Sequence, residues 1–148
     1  VSGSNGALLA YARLTGALLW VHRAASSLDV SPGDIRPLAV AGSIVAVASL
    51  TGVVTGIDAR SGREVWAERP EAASVAFGLT ASADTFYVPY ASGVVVALSR
   101  DAGTERWRIG HPSEGFRWAP AVAGHDILLA GASAGLVSVR ERFPSGKG

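Results

Sequence analysis

Three stretches of the chain superpose without a gap. Asn5-Gly6-Ala7-Leu8-Leu9-Ala10 leads through Gly16 to Trp20, Thr51-Gly52-Val53-Val54 through Gly62 to Trp66, and Ser92-Gly93-Val94-Val95 through Gly103 to Trp107. A fourth copy opens as Ala134-Gly135-Leu136-Val137 and loses the pattern at Pro144-Ser145-Gly146. The leading glycines Gly6, Gly52, Gly93 and Gly135 are about 41 to 46 residues apart. The phase runs backwards as well, with Pro37, Gly78 and Pro120 standing at one distance ahead of Gly52, Gly93 and Gly135. Repeats of this period are four-stranded units stacked around an axis.

Each copy parses into four short strands. In the second copy strand A is 37–41, B is 44–49, C is 53–58 and D is 63–68. The turns Gly42-Ser43, Leu50-Thr51-Gly52 and Arg60-Ser61-Gly62 are rich in residues that tolerate positive φ. Strand B is apolar at nearly every position instead of alternating, as a strand covered on both faces must be. Small residues such as Ala46, Ala48, Ala130 and Gly131 allow the covering sheets to come close. The expected fold is all-β, a β-propeller of four-stranded antiparallel blades. Its boundaries are a half blade at 1–23, blades at 35–69 and 76–110, and an incomplete blade at 117–143. About three and a half blades are fewer than the four to eight of a closed ring. The expectation is a section of a longer propeller. Closure with a second copy or a partner chain, and an open stack, are the alternatives.

The pattern Ala-x-Asp-x-x-x-Gly-x-x-x-Trp is met as Ala10…Gly16…Trp20, as Gly56-Ile57-Asp58…Gly62…Trp66 and as Ala97…Gly103…Trp107. It resembles the tryptophan-docking motif of propellers of the pyrroloquinoline-quinone (PQQ) type. The departures are Gly56 for the alanine, and Ala12 and Ser99 for the aspartate. The WD-repeat pattern is a poorer match, since no Trp-Asp dipeptide closes strand C. The resemblance implies that Trp20, Trp66 and Trp107, with Gly16, Gly62 and Gly103, dock each outer strand on the neighbouring blade. The chain also resembles the periplasmic propeller lipoproteins of the outer-membrane β-barrel assembly machinery, a family whose last blade likewise ends after a strand like Gly135-Leu136-Val137-Ser138-Val139. That likeness implies a non-enzymatic bacterial scaffold, periplasmic or otherwise extracytoplasmic, without a cofactor, presenting loops and edges to protein partners. A sensor propeller is a variant of the same reading. The alternative is a fragment of a PQQ- and Ca²⁺-dependent quinoprotein dehydrogenase, but the adjacent cysteine pair of some such enzymes is absent and their ligands cannot be placed here.

Composition removes several classes. Net charge is +1, from 13 basic and 12 acidic residues, so nothing draws the chain to nucleic acid or an anionic membrane. There is no Cys, which excludes disulfides, thiolate metal sites and a cysteine nucleophile. The chain opens on Val1 and contains no Met, so Val1 is expected to be a processing or boundary residue. The uncharged run from Pro37 to Ile57 is long enough to span a bilayer. The turns at Gly42-Ser43 and Thr51-Gly52 break it, and no transmembrane segment is expected.

Candidate site residues are few. Trp118 stands outside the docking phase, just before Pro120 and strand A. Strand A of a blade lines the central channel, so Arg117 and Trp118 are the candidate channel-facing pair; the plainer reading is filling between blades. His22, His111 and His125 fall in or near turns of different repeats and read as solvated, without the convergence a metal site needs. Asp58 is expected to bond its own turn, Asp84 and Asp126 to sit in A–B turns, and Glu64, Glu68 and Glu71 to form a solvated face. Pro89-Tyr90 interrupts strand B of the third copy, predicting a bulge or an early strand end. No Ser-His-Asp set, phosphate loop or metal triad can be assembled, and no catalytic, cofactor or metal residue is assigned.

Overall fold

The computed structural model describes residues 7–23, 35–49, 51–70, 76, 78–110, 115–116, 118–124, 126–131 and 135–140. Among them every regular element is a β-strand. Blade 1 is the hairpin of β1 (Ala7–Tyr11) and β2 (Leu18–Arg23). Blade 2 is β3 (Ile35–Ala41), β4 (Ile44–Ser49), β5 (Val54–Asp58) and β6 (Glu64–Glu68), hydrogen-bonded in that order. Blade 3 repeats the order with β7 (Thr80–Ala81), β8 (Thr85–Pro89), β9 (Val94–Ser99) and β10 (Glu105–Gly110). Blade 4 holds β11 (Ala121–Ala123), β12 (Asp126–Ala130) and β13 (Leu136–Arg140). All pairings are antiparallel. The architecture is a partial propeller ring.

The core lies between blades. Side chains alternate across a strand, so each sheet has one face toward the blade before it and one toward the blade after it. Blade 2 turns Ala39, Ala41, Ala46, Ala48, Val54 and Trp66 forward. There they meet Leu79, Phe86, Val88, Val96 and Leu98 of blade 3. Leu8 and Trp20 of blade 1 meet Val45, Val47 and Ile57. Tyr87, Val95 and Ala97 of blade 3 meet Ile127, Leu129, Val137 and Val139 of blade 4. The second strands of blades 2 and 3 are thus covered twice. Every residue of β8 is buried, and all of β4 except half-buried Val45.

The last blade departs from the phase read in the sequence. Ala39 pairs with Ala46, Thr80 with Tyr87 and Ala121 with Leu128, a constant step of 41 residues. Gly131 pairs through its amide with the Gly135 carbonyl as Tyr90 pairs with Val94, so Gly135 stands one residue past the position of Gly93. A one-residue shift sends every side chain to the opposite face. In the phase of the glycines, Leu128, Ser138 and Arg140 would press on blade 3. The observed register presents Ile127, Leu129, Val137 and Val139 instead, and leaves Arg140 outside in an ion pair with Asp126. Burial of the apolar row decided the register over the turn glycine.

Of two local expectations, one holds in one of its alternatives and the other is corrected. β8 ends at Pro89, the early strand end read from the sequence, and no bulge separates it from β9, since Pro89 stays in register opposite Val95. The Tyr90 amide donates to the Val94 carbonyl, so the nitrogen of Pro89 points away from β9 and the ladder between β8 and β9 is kept. His22 lies within β2, opposite Leu8, and not in a turn, because the strand continues three residues past Trp20, to Arg23, and keeps His22 on the same face as Trp20.

Candidate functional site

Two pairs of the residues singled out by the repeat, Trp20 with Gly62 and Trp66 with Gly103, meet at junctions between blades. The Trp20 indole N–H donates to the Ala59 carbonyl at 3.0 Å, and its ring lies on Gly62, where an added Cβ would stand 2.7 Å from Cδ2. One blade on, Trp66 donates to the Arg100 carbonyl at 2.9 Å, and a Cβ on Gly103 would stand 2.5 Å from its Cε3. The amides of Ala59 and Arg100 in turn donate to the Ser43 and Asp84 carbonyls of their own blades. One residue of the C–D turn therefore fastens its own A–B turn through its amide and accepts the tryptophan of the preceding blade at its carbonyl. Gly62 and Gly103 have φ of +72° and +69°, so their left-handed backbone and the indole above them both exclude a side chain.

Gly16 shares that backbone, with φ +69°, but nothing lies within 4 Å of a Cβ there. Trp107 is half-buried toward blade 4, its ring centroid 5.9 Å from that of Tyr87. The turn it would meet by the repeat, near Pro144-Ser145-Gly146, lies outside the described residues. Gly56 explains a departure from the family pattern: a Cβ on it would fall inside the Trp66 indole. Tyr90, whose hydroxyl donates to the Gly52 carbonyl at 3.2 Å, is a buried tie between blades 2 and 3 that pattern reading missed, because it occurs in one repeat alone.

On the inner side, β7 touches both β3 and β11. Gly78 of blade 3 packs against the backbone of Trp118 and Ala119, and a Cβ on Gly78 would collide with Ala119. Trp118 stands at this junction with 56% of its surface exposed. Its companion Arg117 lies outside the described residues, as do His111, His125 and Glu71.

The carboxylates are spoken for. Asp58 accepts from the Ser61 amide and hydroxyl at 2.8 and 2.6 Å. Asp84 accepts from Arg106 and Thr85 at 2.9 and 3.0 Å, Asp101 from Arg100 at 2.7 Å, Glu105 from Arg108 at 2.7 Å and Asp126 from Arg140 at 2.7 Å. Serine donors hold the Asp58 carboxyl below its ordinary range, and arginine donors do so for Asp84, Asp101 and Glu105. Glu64 and Glu68 are exposed. His22 places Nδ1 3.0 Å from the Gly62 carbonyl, which only accepts, so Nδ1 carries the hydrogen and the buried Nε2 is left without a partner among the described residues.

A quinone with Ca²⁺ on the axis would need carboxylates on the inner strands. β3, β7 and β11 read Ile-Arg-Pro-Leu-Ala-Val-Ala, Thr-Ala and Ala-Val-Ala and carry none. The described inner strands do not fit that group. Among the described residues no three His, Cys, Asp or Glu gather as a metal cluster. Among the described residues no helix is long and apolar enough to cross a membrane. What the arrangement offers is a rigid set of faces, turns and edges.

A family model described as outer membrane protein assembly factor BamB matches residues 4–142. No curated protein matches the chain. Among solved structures, BamB from Moraxella catarrhalis is 23% identical with a TM-score of 0.74, covering 93% of this chain and 44% of that one. The computationally designed Ika8 protein is 19% identical at 0.74, over 93% of this chain and 41% of its own. The designed Ika4 protein is 19% identical at 0.76, over 94% and 82%. At these identities the structures speak for the fold, and the chain spans less than half the length of the BamB structure.

Proposed function

Because the chain belongs to the PQQ-type repeat family of the outer membrane protein assembly factor BamB, we propose that it is a non-catalytic section of a propeller scaffold that works outside the cytoplasm, binding protein partners in outer-membrane protein assembly. The observation that carries this reading is the use made of its polar side chains. The described aspartates and Glu105 are each bound to a neighbouring serine, threonine or arginine, so none stands poised for acid–base work. Trp20, Trp66 and Trp107, with Gly62 and Gly103, serve as blade-to-blade docking points; Gly16 is the same element awaiting its tryptophan. Arg117 and Trp118 contribute a contact point on the inner side. Rigid sheets held in this way leave the turns and the exposed Trp118 as the surfaces that meet partners.

The test is complementation. In a bacterium deprived of its own BamB-family protein, the full-length protein containing this chain should restore the level of outer-membrane β-barrel proteins. The Trp118→Ala form should fold equally well and restore less. Failure of the unmutated protein, or tight binding of PQQ with Ca²⁺ to it, would overturn the reading.

A further inference from the structure

The outer hairpin is built alike in blades 1, 2 and 3. In β2, β6 and β10 one extra residue bulges out of the pairing just before the tryptophan: Leu19, Val65 and Arg106. A bulge re-aims its side chain, and all three are exposed. Two further positions of this hairpin also face solvent. Blade 2 holds Arg60 and Glu64 there, and blade 3 holds Asp101 and Glu105, all exposed. Blade 2 stands between blades 1 and 3, and blade 3 between blades 2 and 4, so a neighbouring blade does not cover these positions. Blade 3 fills them with charge and ties each one, Asp101 to Arg100, Glu105 to Arg108 and Arg106 to Asp84. Blade 1 fills the same positions with Leu14, Leu18 and Leu19, which are 89%, 53% and 60% exposed. The Gly16 amide donates to the Ala12 carbonyl and the Ala12 amide to the Ala17 carbonyl, and Leu18 pairs with Tyr11, so the leucines gather at one hairpin end. Single exposed apolar residues are ordinary, but a cluster where the repeat elsewhere places charge marks an interaction surface.

What borders the leucines is mainly cationic. Arg13 is exposed beside Leu14, and Arg60 and Arg63 are exposed on the matching turn of blade 2. Asp58 of that turn is taken by the Ser61 amide and hydroxyl, which leaves Glu64 as the exposed carboxylate among the described residues there. We propose that this hairpin end of blade 1 docks a protein segment that presents leucine-sized apolar side chains flanked by carboxylates. The leucines supply the apolar contact, and the arginines select an acidic partner and orient it. The surface belongs to blade 1, whereas Trp118 leads into blade 4, and the inference stands whether or not the assembly role is correct.

The probe is a fluorescein-labelled peptide with leucine on one helical face and glutamate elsewhere. Its anisotropy is followed as the full-length protein containing this chain is added. The protein should bind it, and salt should weaken the binding. Giving blade 1 the residues of blade 3, as Leu14→Asp, Leu18→Glu and Leu19→Arg together, should weaken binding by about ten-fold or more. Arg13→Glu should weaken it too, and a peptide with lysine in place of glutamate should bind about ten-fold less tightly. The exchanged positions are exposed, so the unfolding midpoint should not move. Should it fall, Leu14→Asp alone, at the most exposed of the three, is read in the same way. No binding, equal binding by the exchanged form, or equal binding of the lysine peptide overturns the proposal. So does self-association, or sedimentation with vesicles of phosphatidylethanolamine and phosphatidylglycerol, that the three substitutions abolish, because a second copy or a lipid surface would then own the leucines.

Discussion

The indole N–H of Trp66 in blade 2 and the carbonyl of Arg100 in blade 3 are 2.9 Å apart, and the amide of that same Arg100 donates to the Asp84 carbonyl. A single residue thus links the outer strand of one blade to two turns of the next. Trp66 is buried, and its ring also packs on Phe86 at 6.1 Å between centroids. Trp66→Phe keeps an aromatic ring but leaves the Arg100 carbonyl without this donor, which costs about 1–2 kcal/mol. Trp66→Ala also empties the junction and costs about 3–5 kcal/mol. Urea unfolding should rank the three proteins in that order with an unchanged slope.

Gly56 gives a prediction opposite to the family pattern. Ala10 and Ala97 occupy this position in blades 1 and 3, so Gly56→Ala restores the repeat. It should nevertheless destabilise, because the new methyl lies within the Trp66 ring. The ring must slide and stretch its bond to Arg100, at a cost of about 1–3 kcal/mol. Thermal unfolding of G56A above that of the unmutated chain would refute the packing described here.

Gly16 and Gly103 separate backbone strain from crowding. Both have φ of +69°, but an indole covers only Gly103. Gly16→Ala should cost about 1–2 kcal/mol, the strain of a left-handed alanine. Gly103→Ala adds the collision with Trp66, and should cost clearly more. In Trp66→Ala the difference between the two glycine substitutions should vanish.

Acid should weaken the molecule through its tied carboxylates. Asp58, Asp84, Asp101 and Glu105 all titrate lower when folded than their ordinary 3.8 and 4.5. A carboxyl depressed by folding contributes stability that is full above its unfolded value and is lost as pH falls through the folded one. The unfolding midpoint should therefore be level near neutrality and decline below about pH 4.5. All four groups reach solvent, so the decline is shallow and salt reduces it. Asp84→Asn, which loses the charge that Arg106 and Thr85 hold, should flatten the decline; an unchanged slope would show that this pair is screened away.

Sequence spacing carried the fold because glycines at positive φ and the repeat tryptophans mark the same points in blades 1, 2 and 3. Residues 16, 62 and 103 are glycine for a backbone reason that any copy must obey, and so they can be read. Tyr90 and Gly78 could not be read in this way. Their roles come from contacts across a junction, with Gly52 and with Ala119, and those contacts have no sequence spacing of their own. Of the candidate pair at the inner side, Trp118 is exposed beside a junction of inner strands and Arg117 lies outside the described residues. His22 was read as lying in or near a turn, whereas β2 runs on to Arg23.

The last blade shows why a glycine phase can mislead and how to check it. Gly135 follows Gly93 closely enough to be aligned with it, but the alternation of Ile127 and Leu129 with Leu128, and of Val137 and Val139 with Ser138, fixes which residues go inward. A charge placed on either row discriminates the two registers. Val139 is packed on blade 3 and Ser138 is exposed. Val139→Asp should therefore cost about 2–4 kcal/mol, by burying an unpaired charge and removing apolar contact. Ser138→Asp should stay within about 0.5 kcal/mol. The register read from the glycines predicts the reverse order, since it would turn Ser138 toward Tyr87 and Ala97. Denaturant unfolding of the two variants side by side decides between them, and a larger loss for Ser138→Asp would return the blade to the glycine phase.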